Sequence, residues 1–200
     1  MRPAFLHVAN EPYNTPMEGV AEILLHENEL PTRVAALAGE IADAHPDRDR
    51  GITIVTVLSG SIVFLADLLR QLPLKTRLGL IHVSSYAGRN RVARGPTLIG
   101  TSLPDLHDQD VLIVDDILET GGTLRLVQSA VADAGPRAVR TAVLLRKPCR
   151  RDPEPTVDFV GFEIEDVFVV GYGLDYNGWY RNLPYVAALR AGPLGHGMCG

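Results

Sequence analysis

A chain of 200 residues, 46% hydrophobic and 22% charged, suits one soluble domain with a real core. Its formal net charge of −5 argues against a nucleic-acid partner held on a broad basic surface, and no apolar run nears the roughly twenty residues that span a bilayer. The two cysteines, Cys149 and Cys199, form neither a CxxC nor a zinc pattern, so a reducing cytoplasm is the default.

Residues 1–20 carry Pro3, Pro12 and Pro16 with little periodicity and read as an irregular arm. Met1–Asn10 lacks the apolar stretch of a secretion signal. Ile23–Leu25 suggests a short strand. Leu30, Val34, Leu37, Ala38, Ile41 and Ala42 trace one face of a helix, with Pro31 tolerated in its first turn. Ile52–Leu58 then alternates β-branched residues as a core strand does. It runs into Ser59-Gly60-Ser61 and a helix expected to bury Ile62, Leu65, Ala66, Leu68 and Leu69. Such a strand–Gly turn–helix unit can present backbone amides to an anion, although no Gly-Lys-Ser/Thr of a Walker loop follows. Leu78–Val83 predicts a third strand. The polar connection after it, through Ser84-Ser85-Tyr86 to Arg94-Gly95, is long enough to suggest a functional loop.

The central stretch is Val111-Leu112-Ile113-Val114-Asp115-Asp116-Ile117-Leu118-Glu119-Thr120-Gly121-Gly122-Thr123-Leu124. Its apolar run reads as a strand buried on both faces of a parallel sheet, ending at two adjacent carboxylates. The helix after it is amphipathic through Leu124, Val127, Ala130, Val131 and Ala134. Gly121 and Gly122 remove Cβ atoms, which lets backbone N–H groups approach an anion. The helix start adds donors and a positive dipole end, and the hydroxyls of Thr120 and Thr123 can donate to phosphate. Asp115 and Asp116 suit ribose hydroxyls or hydrated Mg²⁺. Phosphate, ribose and magnesium together describe a phosphoribosyl group.

Ala138–Leu145 predicts another strand, followed by Arg146-Lys147-Pro148. Farther on come two short strands, Asp158–Ile164 and Phe168–Val170, and then Gly171-Tyr172-Gly173-Leu174-Asp175-Tyr176-Asn177-Gly178-Trp179-Tyr180-Arg181. The glycines here do not complete a dinucleotide fingerprint. An aromatic ring at a strand edge can stack on a flat base, and an Arg can grip pyrophosphate as a fork.

The central stretch resembles the phosphoribosyl-pyrophosphate (PRPP) motif of type I phosphoribosyltransferases, and Phe168–Tyr185 resembles the hood of the hypoxanthine-specific members. The resemblance spans roughly residues 20–189. It implies an α/β fold with a mainly parallel twisted sheet flanked by helices and a small hood. A single domain over 1–189 would have its core at about 30–150 and its hood from about 1–28 and 151–189; residues 190–200 read as a loose tail. The implied reaction is Mg²⁺-dependent transfer of the phosphoribosyl group from PRPP to N9 of hypoxanthine or guanine. By position, Glu119 would act on N7 of the base, and Thr120–Thr123 would hold the 5′-phosphate. Ser59 and Gly60 would meet the pyrophosphate through the backbone, and Ser85 and Tyr86 would belong to a closing lid. Lys147 would read the 6-oxygen of the purine, Phe168 would stack on it, and the Val169 backbone would read its edge. Asp175 would bind metal beside the purine, with Asp115 and Asp116 as further candidate metal ligands, and Arg181 would bind pyrophosphate. The family also implies a homodimer or homotetramer.

Three positions depart from the family pattern. Glu119 replaces the usual Asp, extending the reach by one methylene. Ser59 replaces a frequent basic residue, and Gly122 stands where many relatives carry Lys, Arg or Asn. PRPP binding is therefore expected to lean on Mg²⁺ and backbone donors. Alternative readings are xanthine–guanine specificity and a non-catalytic nucleotide-sensing regulator on the same fold.

Overall fold

The computed structural model describes residues 19–84, 95–148 and 155–190. The candidate lid residues Ser85 and Tyr86, both cysteines, the N-terminal arm and residues 191–200 lie outside them.

Six strands form the large sheet: β2 (Ile52–Leu58), β3 (Thr76–Ser84), β4 (Thr97–Ser102), β5 (Asp110–Leu118), β6 (Ala138–Arg146) and β7 (Phe159–Glu163). Their order is β4-β3-β2-β5-β6-β7, with every pairing parallel except the antiparallel edge strand β4. Period-two alternation explains the layering. On β5, Leu112 and Val114 join a core with Leu30, Leu37, Ile41, Phe64 and Leu68 of helices α1 (Glu29–Asp43) and α2 (Ile62–Gln71). Val111 and Ile113 face the opposite way, towards Leu124, Val127 and Val131 of α3 (Gly122–Ala132). The sheet is thus covered on both faces, as its apolar strands require.

The second sheet has three strands, β1 (Val20–Leu25), β9 (Val186–Leu189) and β8 (Val169–Val170), in the order β1-β9-β8. Both pairings are antiparallel. Val20, Val170, Leu183, Tyr185 and Ala187 form its own small apolar cluster.

Several expectations are corrected. Residues Phe159–Glu163, expected in the hood, pair in parallel with β6 and extend the large sheet, since Phe159 belongs to the main core. Strand β5 does not stop at the carboxylates but continues to Leu118, because β6 stays alongside it as far as Arg146. Helix α2 buries Phe64, Leu65 and Leu68, while Ile62 is 51% exposed in its first turn. Strand β4 carries no sequence signal: all six of its residues are exposed, so no alternation announces it.

Candidate active site

The strand order reverses between β2 and β5, with β3 on one side and β6 on the other. Open α/β sheets bind ligands beyond the carboxyl ends of their strands at such a switch point. A cleft of about 850 Å³ lies there, lined by Ser59, Gly60, Asp115, Asp116, Glu119, the Thr120–Thr123 turn, Arg125, Asp175 and Arg181, among others. Strand β2 pairs with β5 only as far as Val114. The next two residues of β5 are the carboxylates, so they fall where that side of the strand opens into the cleft.

The two glycine turns flank this opening. After β5, Gly121 adopts φ 72°, a left-handed conformation that favours glycine. A Cβ there would come within 2.6 Å of Pro155 Cδ. The Thr120 hydroxyl accepts a bond from the Gly122 N–H at 3.5 Å, which closes the turn over the start of α3. After β2, a cis Leu58–Ser59 peptide leads into Gly60. Any side chain on Gly60 would collide with the Asp116 carboxylate, so glycine is what lets this turn close on the acid pair.

Asp115 is buried and Asp116 half-buried. The Asp116 N–H donates to Asp115 Oδ1 at 3.0 Å, and the Ile117 N–H donates to Asp116 Oδ1 at 2.9 Å. Burial pushes the Asp115 carboxyl well above the usual carboxylate range, and the neighbouring Asp116 charge adds to the effect. Asp116 is raised as well by burial, against the pull of its bond with Asp115 and the nearby Arg181 charge.

The segment after β8 reaches over the cleft from the small sheet. Gly173, at φ 102°, lies so close to the Gly60 carbonyl that a Cβ would collide with it. Arg181 donates to the Gly173 carbonyl at 2.6 Å and pairs with Asp175 at 2.6 Å. Asp175 in turn accepts the Gly178 N–H at 2.7 Å. Tyr172 anchors this segment to α2, its hydroxyl donating to Asp67 at 2.5 Å.

At the end of β5 the ladder sets a third group. Leu118 is in register with Arg146, and the Lys147 N–H donates to the Leu118 carbonyl at 3.0 Å. Glu119 and Lys147 are therefore adjacent, and Lys147 Nζ meets Glu119 Oε1 at 2.5 Å, with Asp166 at 3.9 Å. The lysine is 4% exposed.

Of the candidate residues, Ser59, Gly60, Asp115, Asp116, Glu119, Thr120, Gly121, Gly122, Thr123, Asp175 and Arg181 all line one cleft. Lys147 approaches it through Glu119. Phe168 is 53% exposed and meets Tyr176 edge to face with ring centres 5.6 Å apart; Val169 is buried within β8. Neither belongs to the cleft lining. Sequence reasoning missed Arg125, although its helical spacing from the Thr120–Thr123 turn could have revealed it. It also missed Asp166, and Asp67, whose partner lies far along the chain. Among the described residues no group of three or more His, Cys, Asp or Glu side chains is placed to hold a metal ion. No described helix is long and apolar enough to cross a membrane.

A profile for the phosphoribosyl transferase domain matches residues 20–177. Among similar proteins is the hypoxanthine phosphoribosyltransferase of Salmonella typhimurium, 36% identical over 170 residues, covering 85% of this chain and 96% of the relative. The hypoxanthine-guanine phosphoribosyltransferase of Mycobacterium avium is 37% identical over 175 residues, covering 85% and 86%. A crystal structure of a Staphylococcus aureus hypoxanthine phosphoribosyltransferase superposes with a TM-score of 0.80 at 32% identity, covering 90% of this chain and 97% of that one. With a mostly parallel sheet, a cleft at its switch point and this extent of similarity, the chain belongs to the phosphoribosyltransferase family.

Proposed function

We propose that the protein is a purine-salvage enzyme that transfers the 5-phosphoribosyl group of PRPP to N9 of hypoxanthine or guanine, yielding IMP or GMP and pyrophosphate. The observation that carries this reading is the facing of two glycine turns, from neighbouring strands, across one carboxylate pair. That arrangement suits a sugar phosphorylated at both ends. The names of the relatives supply the base.

In this reading Thr120–Thr123 hold the 5′-phosphate, and Asp115 and Asp116 hold the ribose hydroxyls. Ser59, Gly60 and Arg181 receive the pyrophosphate. The C1–O bond breaks with its electron pair leaving on pyrophosphate, while N9 forms the new bond to C1. The base gives up its imidazole proton to Glu119. Positive charge on the ribose ring at the transition state is favoured by the carboxylates on the cleft floor. Lys147, an obligate donor when charged, accepts a 6-oxo base and disfavours the amino group of adenine. Phe168 stacks on the base, the Val169 backbone reads its edge, and Ser85 and Tyr86 close over the site.

Mg²⁺ fits this donor set. The ion uses one or two carboxylates together with substrate phosphates rather than an all-protein cage, and the cleft lining offers the Asp115–Asp116 pair and Asp175. Asp175, Asp115 and Asp116 would hold it, and it would supply charge for the leaving pyrophosphate. The proposal extends to a cytoplasmic homodimer or homotetramer that engages no nucleic acid.

The test is pyrophosphate release from PRPP and Mg²⁺ with hypoxanthine, guanine, xanthine, adenine and uracil in parallel. Turnover with hypoxanthine and guanine, at background with adenine and uracil, is the expected outcome. Silence with every base alongside tight nucleotide binding would make the protein a sensor instead.

A further inference from the structure

Arg125 stands in the second turn of α3, its N–H bonded to the Gly121 carbonyl at 3.0 Å. Helical side chains lean towards the N-terminus, so this one curls back over the turn from which the helix starts. Its guanidinium donates to the Thr120 carbonyl at 3.3 Å, and Nη1 lies 3.0 Å from where a Cβ on Gly121 would stand. Five N–H donors in a planar fork let a guanidinium serve several acceptors at once. The residue lines the cleft, whereas Gly122 at the tip of the turn contributes no side chain.

The cleft's other guanidinium serves a different place. Arg181 is tied to Gly173 and Asp175, and Gly173 rests against Gly60. One cation therefore attends the turn after β2 and the other the turn after β5.

We propose that Arg125 binds the monophosphate end of the substrate, supplying the charged fork that Gly122 cannot. The assignment rests on the phosphoribosyl reading above and adds a charged side chain to the backbone donors expected at that turn. A ligand carrying a 5′-phosphate engages Arg125, while free pyrophosphate, held at the opposite turn, does not.

Calorimetric titration of wild type, Arg125→Gln and Arg125→Lys with inosine 5′-monophosphate, inosine and pyrophosphate separates the possibilities. Loss of a charge-assisted fork predicts that Arg125→Gln weakens the monophosphate about 10- to 100-fold, with pyrophosphate and inosine within about twofold. Arg125→Lys keeps the charge without the fork, so its loss is smaller and confined to the same ligand; it decides the matter if the glutamine variant does not fold. Monophosphate affinity within twofold of wild type in the folded variants overturns the proposal. So does an equal loss for all three ligands, which marks Arg125 as structural. The base panel on the wild type tests the parent reading separately, because it uses no Arg125 variant.

Discussion

Glu119 and Lys147 neutralise one another across 2.5 Å, so an incoming base exchanges that ion pair for its own contacts. The pairing was hidden in the sequence, where the two residues are far apart; it follows from parallel register, which the central motif does not state. Replacing Glu119 by Gln keeps the shape and removes the proton acceptor. Turnover is expected to fall about 10²- to 10⁴-fold while PRPP binding stays within about twofold, by steady-state kinetics and calorimetry. Near-normal turnover would remove Glu119 from the reaction. Asp115 carries the opposite kind of cost. Its carboxyl is raised above the ordinary value of 3.8 by burial, so the folded chain binds this proton more tightly than the unfolded one. Stability is then greatest below that value and declines as pH climbs through the raised range. Asp115→Asn, which cannot ionise, should melt higher than wild type at neutral pH, by roughly 2–4 °C for a gain of about 1 kcal/mol. The difference should vanish near pH 3, and a variant that melts lower at pH 7 would refute the sign. Raised stability with lost activity is what a strained binding group predicts.

Elements that form from local signals were legible in the chain. The core strands β2, β3, β5 and β6 and helices α1, α2 and α3 announce themselves through apolar runs or helical spacing, and the two Gly turns through their place between strand and helix. Strands β4 and β9 were not legible. Thr97–Ser102 is exposed throughout, and Val186–Leu189 is four residues whose partners are remote. The tie between α2 and the hood was equally silent, because Asp67 and Tyr172 are brought together only by tertiary folding. Burial, then the bond to Asp67, pushes the Tyr172 hydroxyl far up, so it remains a donor across the neutral and mildly alkaline range. Removing that hydroxyl in Tyr172→Phe should cost about 1–2 kcal/mol, or roughly 2–8 °C in Tm. It should also raise the KM for PRPP more than it lowers kcat, since Gly173, Asp175 and Arg181 follow directly on the tie. A fall in Tm with an unchanged KM would confine Tyr172 to stability.

At the scale of the molecule, the large sheet supplies the two glycine turns and the carboxylates, while the small sheet supplies Arg181 and Asp175. Neither half holds the whole set. The cleft's chemistry was legible because its central motif is contiguous, whereas its shape was not, because Gly60, Asp116 and Gly173 meet only through the strand order. Gly60 lies against the Asp116 carboxylate and presents its carbonyl to Gly173, which leaves no room for a side chain at either glycine.

The pairing of β1 with β9 also sets a clock. During synthesis the first strand of the small sheet emerges long before its partner, a wait of roughly 10–30 s at about 5–20 residues per second. Arg181 and Asp175 leave the ribosome only just ahead of β9. A nascent chain can pair its large sheet before β9 is made, whereas the small sheet, from which Asp175 and Arg181 reach the cleft, is completed only when β9 joins β1 and β8.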